Sequence, residues 1–270
     1  MSQSPVHINI NKNSFSVKDT LESGQFFRYR KSDDGYEVIA LNKRLLVRQN
    51  EHEVVFEGIT NKDWNKEFSH FFALDCDYDK IKSILTNDPI LKKAIDFAPG
   101  IRIMRQPFWE TVLCFIISQN NNIPRISGII NRLCEEFGNN MGSFFTFPNP
   151  QRLAGLEKND LKILRCGFRD KYIIDAANKF SDKTIDEATI YSLPYPEAKQ
   201  YLMQINGVGP KIADCALLFG AGKLEAFPED VWIKRSMSIL FPNGLPDFAI
   251  PYAGIAQQYI YHYSRINKIH

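Results

Sequence analysis

The sequence predicts an α+β protein in which an N-terminal antiparallel β-sheet is followed by an all-helical region. Two observations carry this prediction. Between Phe26 and Phe56, short segments of alternating apolar and polar residues are separated by turn residues, which is typical of adjacent antiparallel strands. Beyond Asn61, apolar residues recur three and four positions apart, which is the spacing of a helix face. Strands that precede helices favour α+β over an alternating α/β fold.

Each element follows from its local pattern. Strands are expected at residues 26–30, 36–40, 44–48 and 53–57, with an edge strand at 7–11. The main helices are expected at residues 107–117, 123–137, 159–164, 171–180, 196–204, 210–219, 231–240 and 251–263. We place a domain boundary near Pro99-Gly100, which gives a sheet domain with flanking helices at residues 1–98 and a helical region at residues 99–270.

Composition narrows the class of protein only in part. The 270 residues are 44% hydrophobic and carry a formal net charge of +2, which permits a nucleic-acid partner without requiring one. The five cysteines include no Cys-x-x-Cys pair, which argues against zinc, an iron–sulfur cluster or a disulfide scaffold. No cysteine-bound metal centre is therefore expected. The start of the chain does not resemble a targeting segment, and no apolar run is long enough to span a membrane, so an intracellular protein is expected.

A tight turn joins two predicted helices within residues 202–220. It consists of Gly207-Val208-Gly209, in which Gly207 can end the first helix in a left-handed conformation. Pro210 then occupies a position that suits the first residue of the next helix. The backbone N–H groups of such a turn can approach a phosphate closely, and the helix N-terminus adds positive potential. The turn can therefore hold DNA without reading its sequence. A simple corner between two helices is the alternative explanation of the same residues.

Lys211 and Asp230 form a candidate catalytic pair. Lys211 lies in the first turn of a predicted helix, where the dipole disfavours a cation and so favours a neutral, nucleophilic amine. Cys215, one turn later, lies on the same face and can form a wall of the pocket that the amine faces, but taken alone it is explained as a buried structural cysteine. Asp230 precedes the helix at 231–240 and, taken alone, is explained as its N-cap. Together, an amine and a carboxylate can cleave an N-glycosidic bond through a covalent intermediate.

These residues resemble the helix-hairpin-helix (HhH-GPD) DNA glycosylase superfamily. Its hairpin, Leu/Ile-x-Gly-Val-Gly-x-Lys-x-Ala, is similar to residues 205–213, and its Val/x-Pro-x-Asp-Val segment is similar to residues 227–231. Along most of the chain the resemblance is to 8-oxoguanine DNA glycosylases, through residues 21–30, 118–125 and 251–257. The resemblance implies a two-lobed helical catalytic region. It also implies that Lys211 and Asp230 are catalytic and that the hairpin glycines, Gly207 and Gly209, contact the DNA backbone.

The resemblance further implies a pocket for the flipped base. Its residues would be Gly24, Cys215, Phe219, Gln257 and Tyr261. In that family the carbonyl of the glycine accepts a hydrogen bond from the N7–H that 8-oxoguanine has and guanine lacks. Gln257 would contact the Watson–Crick edge of the base, and Tyr261 would stack on it opposite Cys215. An ordinary turn glycine and a helical core tyrosine are the plain alternatives for Gly24 and Tyr261.

Four more residues are implied in DNA binding. Asn120 would enter the duplex site that the base vacates, and Phe168 would wedge into the base stack. Arg125 and Arg169 would read the orphaned cytosine, since forked guanidinium groups suit its acceptors.

Three positions depart from the pattern usual in eukaryotic members of the family. Tyrosine is usual at the wedge, phenylalanine at the stacking position and histidine two residues after the aspartate, whereas this chain has Phe168, Tyr261 and Trp232. An indole cannot serve as a charged phosphate contact, so Trp232 has no role in this scheme. The four-cysteine cluster of the endonuclease III and mismatch adenine glycosylase branches is missing as well, and Lys211 separates the chain from the alkylation-repair branch, which uses the aspartate alone.

The function implied is a bifunctional DNA glycosylase and abasic-site lyase that excises 8-oxoguanine paired with cytosine. Two alternatives stay open at this point: a helix-hairpin-helix glycosylase for another damaged purine, and a non-catalytic protein that binds DNA structures. The implied chemistry requires no cofactor. The expected partner is duplex DNA containing oxidised guanine, with no membrane association. The expected state is a monomer, in the cytoplasm or nucleoid of a prokaryote or the nucleus of a eukaryote.

Overall fold

The computed structural model describes residues 4–269 and confirms the α+β fold. The strands are β1 (Val6–Asn9), β2 (Tyr29–Ser32), β3 (Gly35–Ala40), β4 (Lys43–Gln49) and β5 (Glu53–Glu57). They form one sheet in the order β1-β5-β4-β3-β2, so the predicted edge strand is present and pairs antiparallel with β5. Residues 1–3 lie outside the described residues. They belong to the start of the chain, where no targeting segment is predicted.

The helices follow in the order that the sequence pattern predicts. They are α1 (Val17–Glu22), α2 (Asn61–Asp63), α3 (Ser69–Phe71), α4 (Tyr78–Leu85), α5 (Pro89–Phe97), α6 (Phe108–Ser118), α7 (Ile123–Phe137), α8 (Pro150–Leu153), α9 (Asp170–Ser181), α10 (Glu187–Ser192), α11 (Tyr195–Leu202), α12 (Pro210–Phe219), α13 (Val231–Leu240) and α14 (Ala253–Asn267). A π-helical segment lies at Trp64–Phe68, and 3-10 segments lie at Asp160–Leu164, Gly167–Arg169 and Asp247–Tyr252.

Three predicted boundaries are wrong for local reasons. The strand expected at 26–30 begins only at Tyr29, because Phe26 and Phe27 are both buried before the sheet starts. The helix expected at 159–164 is a 3-10 segment, which ends at Arg165 in the left-handed conformation. The helix expected at 251–263 begins at Ala253, after a 3-10 segment that contains Pro251, and extends to Asn267.

Strands β3 and β5 bury one face of the sheet through strict alternation. In β5, Val54 and Phe56 are fully buried while their neighbours are partly exposed, as expected for a strand with one solvated face. Phe56 packs against Trp64 and Phe72, with ring centroids 4.7 and 5.3 Å away. Aromatic contacts of this kind stabilise the fold beyond the contribution that comes from burying their apolar area. The sheet is therefore held to the segment that follows it by an aromatic core.

The chain divides into two compact units that interleave along the sequence. The first contains the described residues up to Val38, Leu45–Arg105 and the described residues from Lys223 onwards. The second contains Ile39–Arg44 and Gln106–Gly222. Helices α13 and α14 thus belong to the same unit as most of the sheet. The linear division at residues 1–98 and 99–270 groups the segments differently and stays a prediction about sequence domains.

The five cysteines are free thiols, and all but Cys76 are buried. Within residues 4–269, no helix is both long enough and apolar enough to cross a membrane.

Candidate nucleic-acid interface and active-site residues

The hairpin of the second unit joins α11 to α12 through a turn in which the two glycines differ. Gly207 has a φ of +82°, and a Cβ added there would lie 2.4 Å from the Tyr172 ring, so conformation and space both require glycine. Gly209 is the extended N-cap residue of α12, and an added Cβ would meet nothing within 4 Å. One prediction is wrong in position: α11 ends at Leu202, so Gly207 follows four intervening residues instead of ending the helix.

Helix α9 supports this turn, which the sequence did not indicate. Asp175 accepts hydrogen bonds from both the backbone N and the side-chain Nδ2 of Asn206, each at 2.8 Å. Lys179 donates to the carbonyl of Gln204 at 2.6 Å and to Asp175 at 2.9 Å. Three bonds to backbone and side-chain groups fix the turn between the two helices, so its N–H groups are held in place before any ligand arrives.

A buried polar cluster fastens α11 to α12. Asp214, which is 4% exposed, accepts from the hydroxyl of Tyr195 at 2.7 Å and from Lys199 Nζ at 2.8 Å. Burial raises the pKa of Asp214 above its usual range, and the bonds from Lys199 and Tyr195 oppose that rise. Because both carboxylate oxygens have partners, this buried charge is satisfied. The cluster fixes the helix on which Lys211 is placed.

Lys211 lies in the first turn of α12, as predicted, and is half-buried. Its Nζ is 5.2 Å from the centroid of the Phe115 ring. Phe115 in turn stacks on Phe219, with centroids 5.4 Å apart and an interplanar angle of 17°. Within residues 4–269, Lys211 forms no ion pair with a carboxylate. An amine beside an aromatic face without an acidic partner suits a nucleophile. Cys215, one turn further along α12, is buried.

Asp230, in the first unit, begins α13 as its N-cap. Its Oδ1 accepts from the backbone N of Ile233 at 2.8 Å, which confirms the predicted cap. The preceding segment is also held: Gln257 Nε2 donates to the carbonyl of Pro228 at 3.0 Å, and Gln258 Nε2 donates to Gln257 Oε1 at 2.8 Å. Gln257 is 4% exposed. Helix α14 therefore fixes the side chain of Gln257 and, through it, the chain segment that leads from Pro228 to Asp230.

Gly24 and Tyr261 are neighbours in the first unit. Gly24 has a φ of +80°, and a Cβ added there would lie 3.7 Å from the hydroxyl oxygen of Tyr261. The segment around the glycine is fixed by Gln25, which is fully buried. Its amide donates to the carbonyl of Arg102 and accepts from the backbone N of Met104, each at 2.8 Å. Gln25, within the segment at residues 21–30, thus fixes the position of the neighbouring glycine. The sequence alone did not indicate this role for Gln25.

The asparagine loop of the second unit lies between α6 and α7. Asn120 is exposed with a left-handed φ of +45°, and Asn122 caps α7 by accepting from the backbone N of Arg125 at 3.0 Å. Arg169, only 1% exposed, donates to the carbonyls of Gln119, Asn120 and Cys166. The loop is therefore braced from inside.

The two arginines predicted to act together are in different environments. Arg125 is exposed, whereas Arg169 is buried in the bonds just described. Burial first, and then the positive charge of Arg125, lower the pKa of the Arg169 guanidinium. Phe168 is 49% exposed, and its ring lies 4.5 Å from the Arg169 guanidinium carbon. The wedge candidate is thus presented to solvent with a buried cation behind it.

Comparison with known proteins places the chain in a family. Residues 7–112 match the N-terminal domain of 8-oxoguanine DNA glycosylases, and residues 113–244 match the HhH-GPD superfamily of base excision DNA repair proteins. An N-glycosylase/DNA lyase of Saccharomyces cerevisiae is 30% identical in an alignment 259 residues long, which covers 84% of this chain and 68% of the yeast protein.

Solved structures show the same relation across the whole chain. An 8-oxoguanine glycosylase/lyase of Clostridium acetobutylicum, bound to double-stranded DNA with cytosine opposite 8-oxoguanine, is 34% identical with a TM-score of 0.88, and the match covers 99% of each chain. The protein MBOgg1, in complex with a low-affinity DNA ligand, is 38% identical with a TM-score of 0.92, covering 99% of this chain and 98% of its own. These matches confirm the predicted resemblance, and the chain belongs to the 8-oxoguanine DNA glycosylase/lyase family of the HhH-GPD superfamily.

Proposed function

We propose that this chain excises 8-oxoguanine paired with cytosine from duplex DNA and cleaves the resulting abasic site, with Lys211 as nucleophile and Asp230 as the essential carboxylate. Membership of the family makes the chain a DNA glycosylase with an associated lyase activity. The observation that supports these residue roles is the environment of Lys211, an amine without an acidic partner in the first turn of the hairpin helix.

The chemistry has two stages. Lys211 Nζ attacks C1′ of the deoxyribose while the bond from C1′ to the base breaks, and the base leaves with the electron pair and takes up a proton. Asp230 stabilises the positive charge that develops on the sugar. The amine then forms a Schiff base with the opened sugar, loss of a C2′ proton breaks the C3′–O bond, and the 3′ phosphate departs. The step needs no metal ion or redox partner.

Base selection in this proposal rests on the five pocket residues. The Gly24 carbonyl accepts from the N7–H of 8-oxoguanine, and Tyr261, beside Gly24, stacks on the base. Gln257 contacts the Watson–Crick edge while its amide stays bonded to the Pro228 carbonyl. The family resemblance also assigns Cys215 and Phe219 of α12 to base binding. Because Gly24 discriminates through a backbone atom, its fixed position before the buried Gln25 decides selectivity.

Duplex distortion and strand contact fall to the second unit. Asn120 fills the vacated site and Phe168 wedges into the stack, a use that fits their exposure. Arg125, the exposed arginine, makes the direct contact with the orphaned cytosine. Arg169 joins it only by releasing its carbonyl bonds. The turn N–H groups around Gly207 and Gly209 hold a phosphate.

A monomer acting on one duplex suffices for this chemistry. Because its substrate is duplex DNA, the protein acts in the cytoplasm and nucleoid of a prokaryote or in the nucleus of a eukaryote.

A substrate panel tests the proposal. Single-turnover excision is measured on duplexes that carry 8-oxoguanine opposite each of the four bases, undamaged guanine, or an alkylated purine. We expect the fastest release for 8-oxoguanine opposite cytosine and none for guanine. Faster release of another purine would replace the substrate assignment, and binding of every duplex without release of any base would indicate a non-catalytic protein.

A further inference from the structure

A cavity of about 420 Å³ lies in the first unit, between α13 and the C-terminal turns of α14. Its lining contains two aromatic side chains, two serines and two cationic side chains: Trp232, Tyr261, Ser236, Ser264, Arg265 and Lys268. None of these residues except Tyr261 has a role in the proposed function. The lining carries a positive charge without an acidic side chain, so the cavity suits an anion.

The two cations lack carboxylate partners. Within the part of the chain that the structure describes, neither Arg265 nor Lys268 forms an ion pair. Both side chains belong to exposed residues at the end of α14, where the helix dipole favours cations. Helix stabilisation alone would account for a cation in this turn, but it does not require a cavity in front of it.

The hydroxyls provide an independent indication of a ligand. Ser264 is 3% exposed, and its Oγ has no hydrogen-bond partner among the described residues. Buried hydroxyls without a partner are rare in folded proteins, because their desolvation is uncompensated. The Ser236 hydroxyl, in contrast, already donates to the carbonyls of Trp232 and Ile269. Ser264 thus carries an unpartnered hydroxyl at this cavity, whose oxygen is shielded from solvent and reaches a bound group after rotation about χ1.

The position of the cavity relates it to the proposed reaction. Trp232, which is 51% exposed, is the second residue of α13, and Asp230 caps the same helix. Tyr261 borders both the cavity and Gly24. A nucleotide whose sugar reaches Asp230 therefore has its flanking backbone beside this cavity.

We propose that the cavity binds one phosphodiester of the lesion-carrying strand, held by Arg265, Lys268 and the Ser264 hydroxyl. This inference rests on the proposed function. Two cations and a hydroxyl donor match the non-bridging oxygens of a phosphate, and the indole and phenol walls reduce the screening of that attraction. The charged contact that an indole cannot supply at position 232 comes instead from the end of α14, and Trp232 forms a wall of the site.

The test pairs single neutral linkages in DNA with protein variants. Duplexes with a tetrahydrofuran abasic-site analogue carry one methylphosphonate at each linkage within three nucleotides of that site. Equilibrium binding is measured for the wild type and for the double variant Arg265→Ala with Lys268→Ala. We expect one linkage at which neutralisation weakens the wild type by about tenfold and the double variant by less than about twofold. On unmodified DNA, the negative slope of log K against log salt should become less steep by about 0.9 in the double variant.

The controls separate a specific contact from general attraction. Lys234→Ala removes an exposed lysine of α13 that does not line the cavity, and this variant should keep the wild-type response at that linkage. The charge-preserving exchange Arg265→Lys with Lys268→Arg should also retain it. Should the alanine pair fail to fold in a thermal melt, Arg265→Gln and Lys268→Gln are measured singly and should each lose part of the response.

Equal weakening of wild type and variant at every linkage would overturn the inference, and so would an unchanged salt slope. Excision of 8-oxoguanine by the wild type, run in parallel, keeps this result distinct from the function itself. Excision without linkage-specific coupling removes only the phosphate site, whereas the absence of excision removes the proposed function.

Discussion

The two compact units carry the proposed DNA-contacting residues in different ways. In the first unit, Asp230 and Gln257 are tied to backbone groups, and Gly24 is followed by a fully buried glutamine. In the second, Asn120, Arg125 and Phe168 are exposed. Groups that stabilise charge or select a base gain from being fixed in advance. Groups that enter a duplex must instead be presented to solvent, and their internal support comes from neighbours such as Arg169.

The largest expected effect is the loss of excision when the carboxylate of the first unit, Asp230, is replaced. Asp230→Asn keeps a good N-cap but removes the charge, so stability should change little while excision falls by about a hundredfold to a thousandfold. Thermal unfolding and single-turnover excision measure the two effects separately. A fall in stability that matched the loss of activity would show that Asp230 acts only as a cap.

The next effect is a difference in stability between variants of the buried and the exposed arginine of the second unit. Arg169→Ala leaves three carbonyls without their donor and should lower the free energy of unfolding by about 2–4 kcal/mol. Arg125→Ala should change stability by less than about 0.5 kcal/mol and should reduce the preference for cytosine opposite the lesion. Denaturant unfolding and binding to duplexes with each opposing base provide the readouts. Equal stability of the two variants would contradict the bracing role of Arg169.

The hairpin glycines provide a smaller, paired test. Gly207→Ala forces a left-handed φ and a clash with Tyr172, so it should cost about 1–3 kcal/mol of stability. Gly209→Ala meets open space, so the melting temperature should stay near the wild-type value while affinity for DNA falls several-fold. Undiminished DNA affinity in the Gly209 variant would argue that the turn is only a corner between helices.

The smallest effect concerns Gly24. An alanine there meets Tyr261 at ordinary contact distance, and the strain of the positive φ should cost about 1 kcal/mol. The ratio of binding to 8-oxoguanine and guanine duplexes should fall with it, because the carbonyl shifts. An unchanged ratio would assign discrimination to another group.

Local sequence rules recovered the elements with strong signals. Asn122 and Pro124 mark the start of α7, and Gly209 and Pro210 mark that of α12, so both helices lie where they were predicted. Short helices such as α1 and α10 have too few turns for a clear period. The left-handed Gly207 was recognised, but the intervening residues 203–206 were not, because their bonds come from α9.

The site could be predicted as far as residue identity and no further. Lys211 and Asp230 follow from motif and helix position, and the structure places each in its expected turn. The burial of Arg169 depends on carbonyls 49 and 50 positions away, which no local pattern reveals. The cavity that includes Ser264 and Arg265 depends in the same way on the packing of α13 against α14.

The most direct test of the central claim is covalent trapping. The protein is incubated with a duplex that carries one 8-oxoguanine opposite cytosine, borohydride is added, and the product is resolved on a denaturing gel. A protein–DNA adduct that requires the lesion and disappears in Lys211→Gln, while that variant still binds the duplex, is the predicted result. An adduct that persists in Lys211→Gln, or free base released by the wild type without any adduct, would contradict the assignment of Lys211 as the nucleophile.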